Sequence, residues 1–227
     1  MKKKTAYLII LTLVIVGLLF WSIPLSLFVP KESPENFRAD ENTDNLTIKP
    51  MSEDKKILMV VAFNEFKDEE YFVPKEIFEE AGFTVETTSS KKGVAQGVDG
   101  GEAIVDVDAE KIQITDYEAV IFCGGEGMAE ELDNEMFQKL AKDFYKENKL
   151  VAAICVAPAL LAKAGVLKDK EATAWSSPLV KNYIQIIKEN GGVYVDKPVV
   201  ISGNIVTANG PDAAEDFGKT IINQIGF

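Results

Sequence analysis

From residue 56 to the C-terminus, short apolar runs alternate with amphipathic stretches, and this rhythm leaves very few architectures open. Ile57-Leu58-Met59-Val60-Val61-Ala62, Ala119 to Cys123 and Leu150 to Ile154 are apolar without interruption. Runs this short, with no polar alternation, read as strands buried on both faces. Between them lie stretches of helical spacing. One covers 69–81, with Phe72, Val73, Ile77 and Phe78 in step and Gly82 closing it; another covers 133–148. The same rhythm predicts a strand at 83–88, a helix ending near Gly165, a strand at 172–175 and a helix at 178–190. Two short strands within 193–208 and a last helix over 211–225 complete it, and the glycine-rich stretch 93–107 reads as a hairpin excursion. Such alternation predicts an α/β fold, a parallel sheet with helices on both faces. Function in these sheets gathers at the C-terminal strand ends, where Glu65, Gly124-Gly125 and Cys155 all fall.

The first 54 residues are built differently. Lys2, Lys3 and Lys4 are followed by no charge up to Pro30, and 6–23 is almost continuously apolar. That is close to the ~20 residues that cross a bilayer. Residues 1–30 are therefore expected to form a transmembrane helix, an anchor with the lysines in the cytoplasm and the domain outside. A cleaved signal, leaving a secreted domain, is the other reading. Ser-Leu-Phe-Val-Pro lacks the small-x-small pattern that cleavage needs, which favours the anchor. Residues 31–54, rich in Pro, Glu, Asn and Asp, read as a flexible linker, and 55–227 as the folded domain.

Charge and composition then remove whole classes of function. The 227 residues carry a net charge of −12, and beyond residue 30 there are 21 basic against 36 acidic residues. Such a surface repels nucleic acid, so no nucleic-acid partner is expected. Two cysteines are too few for a disulfide framework. The chain contains no histidine, so two thiols would leave a tetrahedral zinc site half empty. No metal and no cofactor are expected.

Cys155 is the most informative single residue. The apolar strand 150–154 runs into it and a helical stretch follows, so the cysteine sits where a strand ends and a helix begins. A side chain there is held over free backbone N–H groups, which favour thiolate over thiol. Cys123 ends the preceding strand and has two readings. One is a small buried apolar residue; the other is a thiol close enough to Cys155 to form a disulfide that would silence it. Phe63, Phe66 and Trp175 fall near the same strand ends.

Four stretches make the chain resemble the ThiJ/PfpI superfamily, a branch of the class I glutamine-amidotransferase-like fold. They are Asn64-Glu65-Phe66-Lys67-Asp68-Glu69-Glu70 with Pro74, the Cys123-Gly124-Gly125 turn, Ala153-Ile154-Cys155-Val156-Ala157-Pro158, and Asn209-Gly210-Pro211. The resemblance implies a flavodoxin-like three-layer sandwich with a mostly parallel central sheet, with Cys155 as the nucleophile and Glu70 as the acid hydrogen-bonded to its sulfur. It also implies that Gly125 and Val156 supply the backbone N–H groups of an oxyanion site. Cys123, Asn209 and Ser177 are secondary candidates. The chain departs from the pattern where the family carries histidine: Val156 follows the cysteine, and Ser177-Pro178 occupies the other histidine position. With no histidine anywhere, no Cys–His proton shuttle can form, even across a homodimer.

The expected activity is therefore that of a cysteine-dependent hydrolase or lyase acting on small carbonyl or acyl compounds, glyoxalase-, deglycase- or peptidase-like. The partner is a small carbonyl compound or a peptide, with a classical Cys–His peptidase disfavoured. The alternative is a non-catalytic redox- or stress-sensing or binding module that uses the same cysteine.

Overall fold

The computed structural model describes residues 55–226, and the anchor and linker predicted over 1–54 lie outside them. Among the described residues, no helix is long and apolar enough to cross a membrane. The apolar runs form the strands they predict: β1 (Lys56–Val60), β6 (Tyr117–Phe122) and β7 (Leu150–Ile154). Their apolar residues are buried throughout, as strands covered on both faces must be. With β3 (Thr84–Thr88), β10 (Val199–Ser202) and β11 (Ile205–Ala208) they make one six-stranded sheet ordered β10-β11-β7-β6-β1-β3. Every pairing is parallel except β10 with β11.

The helices fall into two packed groups, giving the three layers of an α/β sandwich. Helix α1 (Asp68–Glu80) packs against α6 (Ala214–Ile225). Gly218 allows this close approach, because a Cβ there would come within 2.9 Å of Ile77 and 3.2 Å of the Pro74 Cα. The short α2 (Glu126–Glu130) follows β6. Then α3 (Glu135–Lys146), α4 (Pro158–Lys163) and α5 (Asn182–Glu189) pack on one another in sequence. Helix α3 shows why this stretch is helical. Asn134 Oδ1 accepts from the N–H groups of Met136 and Phe137, and Phe137, Leu140, Ala141 and Phe144 form its buried stripe.

Three details differ from the sequence reading. A three-residue strand, β2 (Asn64–Phe66), joins the predicted hairpin, β4 (Val94–Gly97) and β5 (Glu102–Ile104), in a small separate sheet. So short a run, with two of its three residues polar, carries no periodic signal. The strand expected at 172–175 is only β8 (Glu171–Ala172), which pairs with β9 (Val193–Tyr194) outside the main sheet. The helix expected from 178 begins at Asn182. The segment before it is spent on a turn in which Val180 N–H donates to Ser177 Oγ at 3.1 Å.

Candidate active site

Strand β7 ends at Ile154, and Cys155 follows with a φ of 65°, a left-handed conformation that is costly for a residue with a Cβ. Two backbone hydrogen bonds hold it there. Its N–H donates to Ala208 O at 2.9 Å, and its carbonyl accepts from Trp175 N–H at 2.8 Å. Pro158 then opens α4 from its first turn, where no amide is needed. The result is a sharp strand-to-helix elbow that lifts one thiol off the sheet.

The elbow meets the first turn of α1. Glu70 is fully buried and Cys155 is 8% exposed. Glu70 Oε2 accepts a hydrogen bond from Gly124 N–H at 2.9 Å, and the Cys155 thiol hydrogen-bonds the same carboxyl. Glu70 Oε1 is buried and meets no ordinary N–H or O–H donor. Burial raises the Glu70 pKa to about 7, against the smaller opposing pull of the Cys155 thiol, the Gly124 N–H and Lys67. Burial also pushes the Cys155 thiol well above its ordinary value, and the charge and hydrogen bonding of Glu70 push it further. The N–H groups of Gly125 and Val156 act on the sulfur in the opposite direction.

The expectation that the elbow by itself favours thiolate is thereby corrected. Two backbone donors, Gly125 from the turn after β6 and Val156 from the elbow, do not offset a nearly dry site with a carboxyl beside the sulfur. Burial and Glu70 together favour the neutral thiol at rest. Thiol and carboxyl titrate as a coupled pair, and the tautomer that carries a thiolate is the one with the proton on Glu70.

Glycine makes this arrangement sterically feasible. A Cβ on Gly124 would lie 2.5 Å from Glu70 Oε2 and 2.6 Å from the Cys155 Cβ. Gly125 has a φ of 113° and lies against the Glu65–Lys67 backbone too closely for any side chain. Lys67 N–H donates to Gly124 O at 3.1 Å, so the glycine turn is stitched to the start of α1.

The pair opens into a cleft of about 600 Å³. Gly125, Val156, Val98, Trp175, Val180 and Tyr183 line it, together with Lys67, Glu126 and Glu130. Trp175 and Tyr183 meet edge to face, with ring centroids 6.2 Å apart. Val98 comes from the tip of the β4–β5 hairpin, which Asp68 pins in place. One Asp68 carboxylate oxygen accepts from Asp99 N–H at 2.8 Å and the other from Gly101 N–H at 2.6 Å. Lys67 Nζ is held by Asp99 at 2.6 Å and Glu69 at 2.8 Å, which raises its pKa.

Cys155, Glu70, Gly125, Val156 and Trp175 therefore converge, and the remaining sequence candidates do not line the cleft. Cys123 is fully buried behind Gly124, and both cysteines are free thiols. Ser177 caps its own turn, and Asn209 is engaged through its N–H with Pro198 O; only the neighbouring Pro211 reaches the cleft. Phe66 is core, and Phe63 lies in a separate groove beneath Lys91. Among the described residues, no group of three or more His, Cys, Asp or Glu is placed to hold a metal ion. Val98, Val180 and Tyr183 could not have been found from sequence, because hairpin tip and helix start meet only in the fold. Glu126 and Glu130 did carry a signal, two acids one helical turn apart after the glycine pair.

The pattern of the DJ-1/PfpI family matches residues 55–224, which include every residue of this cleft. The chain belongs to the DJ-1/PfpI family. An uncharacterised protein of Methanocaldococcus jannaschii is 40% identical over 171 residues, covering 75% of this chain and 82% of the archaeal one. An uncharacterised Staphylococcus aureus protein is 33% identical over 175 residues, 98% of its length. Among solved structures, a ThiJ/PfpI domain protein from Brachyspira murdochii superposes with a TM-score of 0.71 at 34% identity, covering 75% of this chain and 95% of that one. Drosophila melanogaster DJ-1beta gives a TM-score of 0.66 at 25% identity, covering 76% of this chain and 91% of that one. This DJ-1/PfpI domain contains no histidine, so a Cys–His pair is absent from it.

Proposed function

We propose that this chain is a cysteine-dependent hydrolase or lyase acting on small carbonyl or acyl compounds, with Cys155 as nucleophile and Glu70 as its proton partner. The observation that carries the reading is the buried Cys155–Glu70 pair at a strained elbow, open to a cleft of substrate size. In the proposed step, Sγ attacks the carbonyl carbon and the thiol proton passes to Glu70. Glu70 returns it to the former carbonyl oxygen, giving a hemithioacetal. A group with a pKa of about 7 is matched to both transfers near neutral pH. The Gly125 and Val156 N–H groups, which act on the sulfur at rest, lie beside the new carbon–oxygen bond and stabilise charge on it. An amide is the poorer substrate, because its amine leaving group needs an acid and Glu70 is the one at hand. We place this chemistry outside the cytoplasm, on an anchor formed by residues 6–23, whose apolar run supports that setting.

Incubation with methylglyoxal, followed by mass spectrometry and product assay, tests the activity. Wild type is expected to turn over and Cys155→Ser to lose it entirely; full activity in the variant would defeat the reading. The redox-sensing alternative has one observation in its favour. The same carboxyl and two N–H groups would cradle the oxygens of an oxidised sulfur. It predicts a two-oxygen mass gain at Cys155 under mild peroxide with no turnover of any carbonyl compound.

A further inference from the structure

The cleft beside Cys155 is electrostatically one-sided. Two carboxylates, Glu126 and Glu130, line it from successive turns of α2, and neither has an ion-pair or hydrogen-bond partner among the described residues. The single lining cation, Lys67, is already neutralised by Asp99 and Glu69. Deeper in, Glu70 is fully buried, with Oε1 unpartnered. Two aromatic faces, Trp175 and Tyr183, line the same space. Unpaired carboxylates with aromatic rings in a mostly apolar cleft are the chemistry that recognises an organic cation and rejects an anion.

We propose that the Cys155 cleft selects carbonyl or acyl substrates that carry a positive charge, an alkylammonium or guanidinium group, bound by Glu126 and Glu130 and packed against Trp175 and Tyr183. This rests on Cys155 being the nucleophile and adds the substrate's chemical class. The covalent step balances with an aldehyde alone. The Sγ–carbon bond forms, the carbonyl π bond opens, and the thiol proton ends on the oxygen.

The test compares two aldehydes of one shape, betaine aldehyde and its neutral isostere 3,3-dimethylbutanal. Each is titrated as a protector of Cys155 against iodoacetamide in the full chain, read by mass spectrometry. The readout is the ratio of the two half-protecting concentrations in wild type against Glu126→Gln/Glu130→Gln, so that differences in aldehyde hydration cancel. Both changes fall on exposed positions of a surface helix and leave the core untouched. The cation's advantage is expected to shrink by about three- to tenfold in the double variant, on the order of two partly exposed ion pairs. In wild type it is expected to weaken as salt is raised. If 3,3-dimethylbutanal protects while the ratio is the same in both proteins, the charge selection is overturned and the nucleophile stands. If neither aldehyde protects Cys155, the nucleophile reading falls and the selection falls with it.

Discussion

At the residue scale, the proposed chemistry rests on a carboxyl held where it does not readily ionise. The folded pKa of Glu70, about 7, lies above its ordinary 4.5, so the folded protein keeps a proton that the unfolded chain releases in that interval. Glu70's own contribution to stability is therefore fully present below pH 4.5, is lost as pH rises toward 7, and stays lost above it, by on the order of 3 kcal/mol. Glu70→Gln removes the titration and keeps an acceptor for Gly124 N–H. Urea unfolding at about pH 5 and about pH 8 should show wild type losing stability across the interval and the variant losing far less. An equal loss in both would mean that Glu70 is not the burdened group. The same substitution has opposite effects on reactivity and turnover. Without the anion that pushes the thiol up, alkylation of Cys155 at about pH 8 should speed up, about tenfold for each unit its pKa falls. Carbonyl turnover should drop, because the proton acceptor is gone. A variant both slower to alkylate and slower to turn over would contradict this account of the pair.

At the element scale, three segments far apart in sequence are fixed against one another: the elbow after β7, the glycine turn after β6 and the first turn of α1. Gly124→Ala forces a methyl group between the carboxyl and the sulfur, and overpacking of this kind costs about 1–3 kcal/mol. A lowered thermal midpoint with loss of Cys155 protection by aldehydes is the expected outcome; full protection would show that the contact is not needed. Asp68 serves a second junction, holding the hairpin tip that carries Val98 to the cleft. Asp68→Ala leaves two N–H groups without their acceptor, at about 1–3 kcal/mol, much of it local to the hairpin. Hydrogen exchange should quicken at 97–101, and KM should rise more than kcat falls. A fall in kcat alone would place Asp68 in the chemistry instead. The hairpin, the parallel strands and the amphipathic α3 were all legible from periodicity and punctuation, whereas the Asn134 cap of α3 emerged only in the structure. The start of α5 and the isolated β8–β9 pair were not, because a turn at Ser177–Val180 and pairing outside the main sheet leave no periodic trace.

At the scale of the whole molecule, a folded DJ-1/PfpI domain follows a segment of quite different composition. If residues 6–23 anchor it, the full chain should sediment with membranes and resist high salt, while a chain beginning at Lys55 should stay in the supernatant. Full release of the intact chain by salt would contradict an anchor. The net charge of −12 acts at this scale too, because an acidic molecule draws cations toward its surface before any cleft contact is made. That long-range pull is screened by salt, whereas the buried Glu70 is shielded from it.

The layered α/β fold could be read from the order of residues alone, since buried parallel strands must be apolar on both faces, and composition ruled out a histidine-based mechanism. The sequence also marked Cys155 and Glu70. Their working state was decided only by tertiary structure. A pKa depends on burial and neighbours, and the groups that set it here (Gly124, Gly125, Val156 and Lys67) are brought to the pair from three separate segments. The cleft's charge was settled the same way, because whether a carboxylate is paired or free depends on which distant side chains the fold puts within reach.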